Sequence, residues 1–184
     1  MNATHTDSIT RDINVVEIWL RKDPKRWIAG VMAGIFAGTV ALAVAMIIAV
    51  VAGHEIWYPA KLMATGLLGP SATVTGFNLG PILAGIIVLD LICVFWGFVY
   101  AHFTGTNNMN ALLAMGVVWG TFSWIFVWNL FLQSVKPINW AHIPPSAAFP
   151  VCLAYGLSLA SVAFFDRAMG GSMAAHAKIT ETKI

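Results

Sequence analysis

Four long apolar runs, separated by short polar or proline-rich segments, set the pattern of this chain. The first, Trp27 to Ala52, carries no charge. The second runs from about Pro81 to Phe103 and holds one carboxylate, Asp90. The third covers Ala111 to Leu132, and the fourth about Ala147 to Phe165. About 20 apolar residues cross a hydrocarbon core of ~30 Å, and backbone groups in lipid must be satisfied within their own segment. Each run is therefore predicted to be a helix. The expected fold is an all-α integral membrane protein: a bundle of four transmembrane helices over 27–52, 81–103, 111–132 and 147–165.

The polar segments give the orientation. Arg11, Arg21, Lys22, Lys25 and Arg26 precede the first run, and Arg167, Lys178 and Lys183 follow the last, whereas the other two long connections hold only Lys61 and Lys136. Positive charge collects on the cytoplasmic side, so both termini, 1–26 and 166–184, are expected there. Within the N-terminal segment, Asn14 and Glu17 in "NVVE" have the spacing of a capping box. Apolar residues follow, then Arg21 and Lys22 at the end where cations suit the helix dipole. Residues 14–22 are predicted to form an interfacial amphipathic helix. In "DPKRW", Asp23 can cap and Pro24 can open the first span.

The connection from Gly53 to Gly80 is unusually apolar. Its "PAKLMATGLLG" can form a short helix lying in the outer interface or dipping back into it, and "GPSATVTGFNLGP" reads as irregular chain. The connection "QSVKPINWAHIPPSAAFP" should be stiff, and "GTNNMN" is short enough to make spans two and three antiparallel neighbours.

Composition sharpens this picture. Only 10% of the 184 residues are charged and mean hydropathy is +0.79, against roughly a quarter charged in soluble domains. A net charge of +2 gives no reason to expect nucleic acid. Cys93 and Cys152 both lie in apolar runs and read as packing residues rather than a disulfide or zinc pair. No cleavable signal or acid-poor presequence is read at the N-terminus, and a bacterial inner membrane is the simplest setting.

Candidate packing positions are Gly30, Gly34 and Gly38 in span one, with Ala37, Ala41 and Ala45 beside them, and Gly116 and Gly120 in span three. Small residues at this spacing let helix backbones approach closely, against another span or another protein. Trp96, Trp119, Trp124 and Trp128, with Phe122 and Phe126, give a bulky aromatic surface. It reads as packing, or as a wall against a planar cofactor edge.

Groups that could carry chemistry are few. His54, Glu55 and His142 would share one side and could bind a metal if their loops meet, since imidazole and carboxylate suit several divalent ions. His102 ends span two on the other side, where no second axial haem ligand shares its depth. Asp90 lies about 13 Å into the membrane at 1.5 Å per residue. No Lys or Arg shares its depth, and Asn129, Tyr100, Tyr155 and Ser158 are its candidate hydrogen-bond partners. No nucleophile elbow, phosphate loop or zincin pair occurs, so no catalytic residue is assigned.

The expected role is that of a non-catalytic accessory subunit of a larger bacterial membrane complex, of respiratory or electron-transfer kind. The partners would be the bilayer and other integral membrane subunits. Two alternatives remain beside it: a small proton or cation transporter using Asp90, and a quinone- or haem-associated redox protein. No cofactor of its own is predicted; bound lipid is expected, with a haem or quinone conceivable only at a shared interface.

Overall fold

A computed structural model describes residues 23–126 and 145–170. Among them the chain is helical, without a strand. Helix α1 spans Pro24–Val51, and Asp23 caps it by accepting the Arg26 N–H at 3.2 Å with Pro24 in the first turn. The short α2, Tyr58–Leu68, and a 3-10 turn, Pro70–Thr73, lie in the apolar connection. Helix α3 covers Leu79–Phe103. Helix α4, Met109–Trp124, starts on Asn108, whose Oδ1 accepts the N–H groups of Asn110 and Ala111. The last apolar run is α5, Pro145–Ser158, a 3-10 turn over Leu159–Ser161, and α6, Val162–Ala168. Pro150 sits inside α5.

Three of these helices are long and apolar enough to cross a membrane: Pro24–Val51, Leu79–Phe103 and Ser146–Ala168. The run expected as span three is helical for the 16 residues of α4 and continues through Ile125 and Phe126 to the edge of the described chain. Its remainder, and the amphipathic helix expected over 14–22, lie outside the described residues.

Helix α1 is the centre of the packing, because it carries two adjacent stripes of small residues. Gly30, Gly34 and Gly38 face α3. A Cβ at Gly30 would stand 2.5 Å from the Ala101 Cβ, and one at Gly34 would stand 2.5 Å from the Cys93 carbonyl oxygen. From the α3 side, a Cβ at Gly97 would meet the Gly30 carbonyl at 2.5 Å. Rising numbers on α1 meet falling ones on α3, so the pair is antiparallel. Ala29, Ala33, Ala37 and Ala41, all buried, form the second stripe, in a core shared with Tyr155, Leu159, Val162 and Ala163 of the last run.

A second close pair joins α4 to α5. Cβ atoms at Gly116 and Gly120 would meet the carbonyls of Gly156 and Cys152 at 2.5 and 2.7 Å. Gly156, four residues before Ala160, is the third glycine of this contact and was not singled out by the sequence. Between α3 and α4 the space is filled by rings: Trp96 lies 5.7 Å from Trp119 and 6.1 Å from Phe126, and Tyr100 lies 5.8 Å from Trp119.

Candidate functional site

The strongest concentration of polar chemistry lies where the start of α1 meets the end of α3 and the end of α6. Arg26 is 2% exposed and Asp166 is fully buried, with the guanidinium 3.6 Å from the Asp166 carboxylate. Asn107 bridges them: its amide N–H donates to Asp166 Oδ2 at 2.7 Å and its Oδ1 accepts from Arg26. The other arm of Arg26 donates to the carbonyls of Thr104 at 3.0 Å and Thr106 at 2.9 Å, and to the Thr104 hydroxyl at 3.3 Å. Arg167 donates to the Asn107 carbonyl at 3.1 Å, and Lys25 to that of Gly170 at 3.1 Å. The planar five-donor fork of arginine suits this job: it ties the α3–α4 loop and the end of the last run to the first turn of α1. Among the described residues the buried Asp166 Oδ1 has no hydrogen-bond partner.

His102 stands at the rim of this centre, in a shallow depression lined also by Asp23, Arg26, Trp27 and Ala101. The Trp27 indole N–H donates to its Nδ1 at 3.2 Å, so Nε2 is the nitrogen left for other chemistry.

At the opposite ends of α1 and α3 sits a second centre. Lys61, on α2, is 1% exposed. Its ammonium donates to Glu55 Oε2 at 2.8 Å, to the Val74 carbonyl at 2.9 Å and to the Gly76 carbonyl. All three donors are thereby used. Glu55 Oε1 accepts the Gly76 N–H. The Lys61 ammonium first, and the Gly76 N–H after it, hold the Glu55 carboxyl below its ordinary range. His54 stacks on Tyr58 with ring centroids 4.4 Å apart. Glu55 is therefore a partner of Lys61, and His142, its other expected neighbour, lies outside the described residues. No group of three or more His, Cys, Asp or Glu able to hold a metal occurs among the described residues.

Asp90 stands between the two centres, near the middle of α3. It shares the stripe of Cys93, Gly97 and Ala101 that faces α1, with Oδ1 3.6 Å from where a Gly38 Cβ would be. The side chain is half-buried. Two of its candidate partners are engaged elsewhere: Tyr100 donates to the Leu112 carbonyl at 2.8 Å, and Tyr155 donates to the Cys93 carbonyl at 2.9 Å. Asn129 lies outside the described residues. Among the described residues Asp90 has no hydrogen-bond or ion-pair partner.

Arg26, Asn107, Asp166 and Lys61 were not read as a site from the sequence. Arg26 and Lys61 counted only toward orientation, and Asp166 fell one residue past the expected end of span four. The available signal was weak. Arg26 and Asp166 each stand one residue outside an expected span, Lys61 sits in an apolar connection and Asn107 in a short polar one, but nothing local tells which distant segment supplies the partner.

Comparison with protein-family models, with curated proteins and with solved structures finds no match to this chain.

Proposed function

We propose that the chain is a non-catalytic accessory subunit embedded in a bacterial inner membrane, crossing it four times with both termini in the cytoplasm. The observation that carries this reading is Asp90. An Asp at the centre of a membrane helix costs roughly 2.5–3.5 kcal/mol on insertion, and such groups normally face a protein partner. The two buried cations among the described residues are committed elsewhere, Arg26 to Asp166 and the 104–107 loop, and Lys61 to Glu55 and two carbonyls. No described residue pairs with Asp90, and a polar group on a helix of another subunit would complete it.

A respiratory or electron-transfer host is favoured by the aromatic surface. Phe95 and Phe122 are exposed beside Trp96, and the buried Trp119 indole N–H has no acceptor among the described residues. Such a surface suits the edge of a planar redox group held by a neighbour.

Native electrophoresis of the full chain in mild detergent, with the co-migrating proteins identified, tests the proposal. The wild type should travel with other integral membrane proteins, and Asp90→Asn, which keeps a donor and an acceptor, should travel with them too. Asp90→Leu should weaken the association by roughly 0.6–2 kcal/mol, the range for polar contacts between membrane helices. A wild type that migrates alone ends the accessory reading. If Asp90→Asn stays assembled but loses proton or cation flux in liposomes, the carboxyl is a conducting site and the transporter reading replaces it.

Topology has its own check. Reporters fused at residues 1 and 184 should both report the cytoplasm, and periplasmic activity at either end would contradict this topology.

A further inference from the structure

We infer that residues 55–79 form a re-entrant hairpin lodged in the lipid of the outer leaflet, with Glu55 masking its only cation, Lys61. The inference rests on the membrane reading above and goes beyond it, because a segment between two spans can equally lie in water.

Depth is the first support. A Cβ at Gly85 would collide with the Ala60 carbonyl and stand 3.2 Å from the Ala64 nitrogen. Backbone of α2 thus lies directly on α3 at a glycine six residues inside its start at Leu79, about 9 Å along the axis at 1.5 Å per residue. The short helix sits alongside the apolar part of α3 rather than beyond its end.

The surface of the hairpin is the second. Leu67 is 69% and Phe77 is 70% exposed, with Ile56, Leu68, Val74 and Leu79 also outward. Ile47 and Val50 on α1 and Leu83 and Ile87 on α3 are exposed as well.

The third support is that its one cation is turned inward and three of its hydroxyls are paired with its own backbone, while Ser71, Thr75 and Asn78 stay at the surface. From Ile56 to Leu89 the sequence holds one charged residue, Lys61, and that ammonium is enclosed by a carboxylate and two carbonyls. The hydroxyls of Thr65, Ser71 and Thr73 donate to the carbonyls of Leu62, Leu68 and Pro70. A hairpin built for water has no need of this economy, whereas in hydrocarbon each unpaired polar group is costly. Irregular backbone at that depth needs its polar groups taken up: the Lys61 ammonium takes the carbonyls of Val74 and Gly76, and Glu55 accepts the Gly76 N–H.

Nitroxide labels at Leu68→Cys and Phe77→Cys, in full-length protein reconstituted in phosphatidylcholine vesicles, test this by collision with oxygen and with a nickel chelate. The unlabelled-site parent serves as the blank for Cys93 and Cys152, Ile87→Cys as the span control and Asn110→Cys as the aqueous control. Both hairpin labels should resemble Ile87, with oxygen access several-fold above nickel access. Labels resembling Asn110 while Ile87 stays oxygen-rich would overturn the hairpin alone, and an aqueous Ile87 would overturn the membrane reading itself. Low access to both reagents would mean a second copy covers the face, and the lipid assignment fails. In a Glu55→Gln background nickel access at Leu68 should rise several-fold, and adding Lys61→Met should return it toward the parent. No rise in the single variant would refute the masking role.

Discussion

Protein carrying Arg26→Met should unfold about 3–5 kcal/mol more easily than the parent, the range for removing one partner of a buried ion pair. The cost comes from what remains. Asp166 is fully buried, and among the described residues its Oδ1 already has no hydrogen bond and its Oδ2 would keep only Asn107. The carbonyls of Thr104 and Thr106 would lose their donor at the same time. Asp166→Asn should cost less, about 1–3 kcal/mol, because Arg26 keeps its carbonyl partners and a neutral amide is cheaper to bury than a lone carboxylate. Replacing both, Arg26→Met with Asp166→Leu, should lose less than Arg26→Met alone, since apolar replacement of a whole buried pair is often neutral. Titration with sodium dodecyl sulfate, followed by the tryptophan signal, measures all three. An Arg26→Met protein within about 1 kcal/mol of the parent would place the pair among exposed ones, contrary to its burial.

Gly34→Leu should be the most damaging change inside the α1–α3 contact. At Gly34 even a Cβ would stand 2.5 Å from the Cys93 carbonyl oxygen and 3.0 Å from the Val94 Cα. These are backbone atoms of a helix and cannot swing aside, so the two helices must separate. Overpacking of this kind costs typically 1–3 kcal/mol, and separation also weakens the dispersion contact along the whole glycine stripe. Gly34→Ala should show a smaller loss of the same sign. Gly80→Ala is the control, because a Cβ there meets nothing nearer than the Asn78 side chain at 3.8 Å. A Gly34→Leu protein that melts like the parent would mean the contact is not held in solution.

How much of this was readable in advance differs from group to group. The helical character of the apolar runs, the Asp23 cap and the short 105–110 connection follow from local rules of hydropathy and capping, which act within a few residues. The small-residue stripe of Gly30, Gly34 and Gly38 was visible as spacing, but its partner was not, because four-residue spacing marks a surface and says nothing of what lies against it. Asp90 was legible as an isolated charge. That Tyr100 and Tyr155 donate to backbone carbonyls instead of to it depends on how α3, α4 and α5 are set against one another.

The charged centres show the limit most clearly. In sequence, Arg26 and Asp166 stand at opposite ends of the chain, and Lys61 is one cation in an apolar loop. Membrane helices carry no strong hydrophobic drive toward each other, so composition alone does not choose which faces meet. The sequence by itself determined that these residues form long apolar helices with polar ends, because period, length and charge placement are local properties of the chain. Only the tertiary structure decided that Arg26 closes onto Asp166 through Asn107, that Lys61 is enclosed by Glu55 and the carbonyls of Val74 and Gly76, and that α2 rests on Gly85. A buried charge is tolerated where several acceptors converge on it, and that convergence is a property of packed helices in three dimensions.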